Sequence, residues 1–211
     1  MEGIKAFTIM MKDTAVLRVD FDMLCYEVLN EKYLPYPIKG KLQKIPSPDT
    51  IKTAYDMSQS LLAVRKNEEA VVSWLTGRVL LLSRANAKWI YNLFHFEQTG
   101  TAEQHMKIAM VCRAVSVLDP YWLKFDDDGE ISWSSVDVKR NPLNEIVAQV
   151  ALHGKSLTFQ GSPVTPELTT NGAYAKAWRR HEDGNLWLYK LGANGSTESR
   201  IEVMCSNLLD K

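Results

Sequence analysis

Residues 4–22 alternate with period two: Ile4, Ala6 and Thr8 interleave with Phe7 and Ile9, and Val/Leu positions interleave with Arg18 and Asp20 from Ala15 to Phe21. Lys12-Asp13 separates the two runs, so the pattern predicts an opening β-hairpin. Pro35, Pro37, Gly40, Pro46 and Pro48 make residues 33–49 loop or extended linker. Ser47-Pro48-Asp49-Thr50 is a run of cap-forming residues, after which residues 51–63 predict a helix carrying Ile51, Ala54, Tyr55, Leu61 and Leu62. A second helical stretch, Glu68 to Leu82, carries Val71, Val72, Trp74, Leu75 and Val79. Ser83 is placed to cap a third, holding Trp89, Ile90, Leu93, Phe94 and Phe96 and ending at Gly100. Thr101-Ala102-Glu103-Gln104 is a capping-box pattern. The helix behind it turns Met106, Ile108, Ala109, Val111 and Cys112 inward, and Asp119-Pro120 breaks it.

After Pro120 the pattern changes to short strands. Tyr121–Phe125 and Ile131–Val138 read as strands around an acidic turn, Asp126-Asp127-Asp128-Gly129. Asn141-Pro142 leads into a short helix, Asn144 to Leu152, and Gly161–Pro166 is a joint. A glycine turn, a hairpin ending at Lys190 and a helix from Glu198 to Lys211 close the chain. The fold class is therefore α+β. The boundary is expected near residues 155–166, between a mixed α/β region, 1–160, and a closing module, 161–211.

Composition narrows the functional classes. The chain has 211 residues, enough for one sizeable domain or two small ones, with 25 Lys+Arg against 25 Asp+Glu. A formal net charge of zero argues against a dedicated nucleic-acid binder, and no helix-turn-helix pattern supports an antitoxin-like one. Cys25, Cys112 and Cys205 have no metal-ligand or redox spacing and read as buried thiols in a reducing compartment. The N-terminus lacks a signal-peptide pattern and no apolar run is long enough to span a bilayer, so the expectation is a cytoplasmic protein.

Candidate chemistry gathers in the last quarter. Thr170-Asn171-Gly172 offers a glycine able to take positive φ, which lets backbone amides approach phosphate; the same residues fit an ordinary β-turn. Alternation puts Lys190 on one face with Leu186 and Leu188, an environment in which an ammonium needs a partner unless it reaches water at the strand end. Glu202, or else Glu198, could supply that partner. Gly192 to Glu198 reads as a capped loop or an anion nest. The acidic run lacks the alternation of a calcium loop and reads as a solvated turn. His95, His105, His153 and His181 form no catalytic or metal set. Arg78, Arg84 and Asn86 could bind an anion, but structural pairing is the better account. The six tryptophans have no basic stripe among them and read as packing residues.

Several segments together resemble the HipA-like protein kinases of Firmicutes and their phages. They are Phe7-Thr8-Ile9-Met10, Trp74-Leu75 with Arg78 and Ser83-Arg84-Ala85-Asn86, Val115 to Lys124, and Asn141-Pro142. The strongest is Pro166 to Gly172 with Lys176-Ala177-Trp178, followed by Leu188-Tyr189-Lys190 and Ile201-Glu202 with Ser206. Residues 23–70 match little. The resemblance implies a kinase-type N-lobe whose nucleotide loop holds Asn171 and Gly172, whose phosphate lysine is Lys190 and whose helix glutamate is Glu202, with ATP and Mg as ligands. Lys176 belongs to the motif without an assigned role. The family's C-lobe carboxylates have no counterpart before Lys211. The expectation is a fragment inactive alone that binds nucleotide weakly. The alternative is a non-catalytic phage or bacterial regulator that uses the exposed N-lobe surface to bind a protein partner or a second copy.

Overall fold

The computed structural model describes residues 6–192 and Ile201. The helix expected from Glu198 to Lys211 lies outside the described residues, Ile201 excepted. Two strands, β1 (Phe7–Met11) and β2 (Thr14–Asp20), form the opening hairpin around Lys12-Asp13. A third strand, β3 (Cys25–Val28), pairs with β2, and β4 (Tyr121–Phe125) pairs with the other side of β1. The sheet is antiparallel, in the order β3-β2-β1-β4.

The two helical stretches on either side of residue 65 are one helix, α1 (Ala54–Thr76). Thr53 and Asp56 start it with a reciprocal capping box: the Thr53 hydroxyl accepts from Asp56 N (3.1 Å) and the Asp56 carboxylate from Thr53 N (2.9 Å). The polar stretch Lys66-Asn67-Glu68 resembles a break, yet Asn67 is buried and holds the backbone of Gln43 at both its N–H and its C=O. Two further helices follow, α2 (Ala87–Leu93) and α3 (Ala102–Val111). The Thr101 hydroxyl caps Gln104 N as expected, while the Gln104 side chain accepts from Gly100 N, one residue earlier than a capping box requires. Cys112 already ends α3, ahead of Asp119-Pro120, and burial pushes its thiol pKa up to about 12.

Residues 131–138 do not form a strand. Strand β4 already pairs with β1, and Trp133–Val136 turns into a short helix, α4, whose first amide is capped by the Asp13 carboxylate (2.7 Å). The acidic run is more than a solvated turn. Asp126 pairs with Arg18, and Asp128, largely buried, pairs with Arg113 and accepts from Phe125 N (2.6 Å). Asn144 caps α5 (Glu145–His153), and a second sheet of two strands, β5 (Lys176–Arg180) and β6 (Leu186–Lys190), closes the described fold. The core includes Phe7, Ile9 and Leu17 of the sheet, Val71 and Leu75 of α1, Ile108 of α3 and Val147 of α5. Leu168 and Ala177 belong to this same core. A smaller cluster joins Met10, Val115, Trp122, Val136 and Val138. Among the described residues no helix is long and apolar enough to cross a membrane.

Candidate functional site

The last-quarter turn is built on a buried arginine. Arg84, between α1 and α2, is 3 % exposed. Its guanidinium donates to the carbonyls of Glu167 (3.3 Å), Thr170 (2.8 Å) and Lys176. One side chain thus fixes both the 3₁₀ turn Pro166–Thr169 and the first residue of β5. Burial lowers its pKa to about 10, which leaves it charged at neutral pH. Glu167 lies beside it, fully buried, accepting from the Thr165 hydroxyl and from Trp178 N (3.0 Å). Burial raises the Glu167 pKa above the usual carboxylate range, against the opposing effect of those two donors and of Arg84. Thr169 ties the turn to Val115 O (2.6 Å), and Thr170 receives the indole N–H of Trp178 (2.9 Å).

The other two residues of that upstream polar run, Arg78 and Asn86, are likewise structural in their contacts. Arg78 makes a two-pronged bond to Asp119 (2.7 and 2.8 Å), donates twice to Ala114 O and lies over the Trp74 ring. Asn86 donates to the carbonyls of Ala151 and Leu152, the C-terminal end of α5.

On this scaffold Asn171, Gly172, Lys176 and Lys190 meet at one corner. The Asn171 side chain donates to Gly77 O (2.9 Å), so it anchors the turn to the end of α1. Gly172 has φ +107°, and a Cβ there would collide with the Lys176 ammonium. Lys176 is buried under the turn, its Nζ donating to Asn171 O (2.9 Å). Lys190 is its direct cross-strand partner and is exposed. Leu186 and Leu188 share its face and are half-buried, as the alternation predicts. The buried lysine of the hairpin is therefore Lys176, not Lys190. Its only sequence signal is the flanking pair Ala175 and Ala177, small residues that let a strand settle into the core. Glu202 and Glu198 lie outside the described residues.

Glycine at 172 is required on two counts. Gly172→Ala is expected to lower the unfolding free energy by about 1–3 kcal/mol, the cost of holding a side-chain-bearing residue at this φ. Urea denaturation monitored by circular dichroism checks it.

An open cleft of about 970 Å³ lies between the hairpin and the start of α5. Its polar groups already engage one another. Arg179 Nη1 donates to both oxygens of Glu145 (2.7 and 2.8 Å), Arg180 to Gly184 O and Asn141 O, and His181 shares a hydrogen bond with Tyr189. Among the described residues no group of three or more His, Cys, Asp or Glu is placed to hold a metal ion.

No model of a protein family matches this chain, and neither a curated protein nor a solved structure matches it.

Proposed function

We propose that the chain is a kinase-type nucleotide-binding module of HipA-like character, holding the phosphates of a nucleotide such as ATP with its Mg at the Gly172 corner. The observation that carries this reading is the side-by-side placement of Lys176 and Lys190 beneath a turn that only glycine suits. Directly opposed residues of an antiparallel pair have Cβ atoms about 4.5–5.5 Å apart, so one anion can meet both side chains. A phosphate there is attracted by two ammonium groups at once. Lys190, being exposed, is the group a ligand meets first; Lys176 sets the charge beneath it. The Asn171 carbonyl faces the Lys176 ammonium, so affinity rests on the lysines more than on the turn's amides.

Titration calorimetry with ATP, with and without Mg, tests the reading. Millimolar ATP is expected to bind and to raise the melting temperature by mass action. Lys190→Ala, an exposed substitution with little effect on folding, is expected to weaken binding at least about tenfold, or about 1.4 kcal/mol. Absence of heat and of any melting shift at millimolar ATP would sink it.

A second reading is a non-catalytic module that binds a protein partner. It draws on one observation: Trp187 (53 % exposed), Tyr189 and Leu191 carry apolar surface on and just beyond β6.

A further inference from the structure

A different surface, remote in sequence from the Gly172 corner, has the form of a missing strand. Strand β3 is an edge of the four-stranded sheet. Leu29 N donates to Val16 O (2.9 Å), and the register pairs Glu27 with Arg18 and Cys25 with Asp20. In an antiparallel ladder the bonded residues alternate. The backbone groups of Cys25 and Glu27 therefore face β2, and those of Tyr26 and Val28 face outward. Across a slot of about 470 Å³ stands the run Leu42–Ile45. Asn67 takes both backbone groups of Gln43, N–H to Oδ1 (2.6 Å) and Nδ2 to C=O (2.9 Å), as a neighbouring strand would. The N–H groups of Leu42, Lys44 and Ile45 donate to no acceptor among the described residues. Two backbone rails with open hydrogen-bonding groups thus flank one slot. Tyr26, which lines it, keeps its hydroxyl buried and without a hydrogen-bond partner. Exposed Met23, Leu24, Val28 and Leu29 make its ends apolar.

We infer that this slot binds an extended segment of a partner protein, added as a fifth strand against β3, with apolar residues alternating with acidic ones. Strand addition at a free edge draws affinity from main-chain hydrogen bonds and specificity from the flanking side chains. The charge preference comes from the second rail. Lys39, Lys41 and Lys44 are exposed and form no ion pair among the described residues, three cations against the one carboxylate, Glu27, on the first rail. A second copy of β3 fits less well. The strand has four residues, and antiparallel self-pairing brings two Glu27 carboxylates into neighbouring positions.

The test is a randomised eight-residue peptide library displayed on phage and panned on the full chain. Enriched peptides are expected to alternate apolar with Asp or Glu. The strongest, made synthetically, should lose at least tenfold in affinity toward Lys44→Glu by fluorescence anisotropy, and as much when its ladder amides are N-methylated. Hydrogen exchange at the Tyr26 and Val28 amides should slow on adding that peptide. Three results overturn the proposal: no enrichment, binding indifferent to both changes, or protection of those amides that grows with protein concentration in the absence of peptide. The last would assign the edge to a second copy. Glu27 and Lys44 lie on exposed rails, so the Lys44 variant is expected to fold as the parent does.

Discussion

Arg84→Met is expected to cost about 3–5 kcal/mol of folding stability, the range seen when one partner of a buried charged network is removed. The methionine fills much of the volume but donates nothing. The carbonyls of Glu167, Thr170 and Lys176 would then lose their shared donor. A buried acceptor left without a partner costs about 1–3 kcal/mol, so even partial relief by water leaves a large net loss. The buried carboxyl of Glu167 also loses the neighbouring cation that favours its ionised form. Urea denaturation at neutral pH measures the total, and for a chain of this length each kcal/mol lowers the melting temperature by about 2–4 °C. Hydrogen exchange shows where the loss falls, with residues 167–176 expected to open first. A loss below about 1 kcal/mol would mean that these carbonyls are hydrated in the wild type, and that the turn is held by the rest of its contacts. Because the same guanidinium fixes the first residue of β5, Arg84→Met should also impair whatever binds at Lys176 and Lys190.

The α+β class and most helices and strands were legible because their signals are local. Period-two alternation marks β1, β2 and the closing hairpin, and Thr101 caps α3 where its pattern stands, whereas Pro48–Thr50 is a 3₁₀ turn with α1 starting behind Thr53, and α2 starts behind Asn86 rather than Ser83. What was illegible depends on contacts distant along the chain. Strand β3 has only four residues, and it exists because β2 offers a free edge. Residues 131–138 have strand-like spacing, but Asp13, distant along the chain, caps Trp133 N and starts a short helix there, so the outer edge of β4 stays unpaired. Asn67 looks like a helix breaker and is instead a buried clamp on Gln43. At the candidate site the sequence offered at Gly172 a residue able to take positive φ but equally an ordinary β-turn; the need for glycine follows from the φ of +107° and from Lys176 beneath it. That Lys176 is the buried lysine was not readable, because which face of a strand meets the core is decided by what packs on it. Alternation placed only Lys190 on a strand face; the direct opposition of Lys176 and Lys190 follows from the register of β5 against β6.

The stability of this protein should fall as pH rises above the ordinary carboxyl range, through Glu167. In the unfolded chain this group titrates near its model value of 4.5, whereas burial raises its pKa in the folded chain. Between the two values the folded state keeps a proton that the unfolded state has lost. The unfolding free energy then decreases with pH, by at most about 1.4 kcal/mol per pH unit for one proton. Below 4.5 both states are protonated and this contribution is fully present. Carboxylates shifted the other way act oppositely at lower pH. Asp128, for instance, is held down by its bonds to Arg113 and Phe125 N although burial opposes them. The informative quantity is therefore the difference between wild type and Glu167→Gln across a pH series of urea melts. Glutamine keeps an acceptor for Trp178 N and cannot ionise, so the variant should gain on the wild type as pH rises from about 4.5. Parallel curves would mean that Glu167 ionises as readily folded as unfolded, with the nearby Arg84 charge offsetting the desolvation of the carboxylate. In that case Arg84 and Glu167 act as a charge pair. Arg84→Met combined with Glu167→Gln would then cost less than the sum of the single substitutions, because each single change leaves the other charge buried without its counterpart.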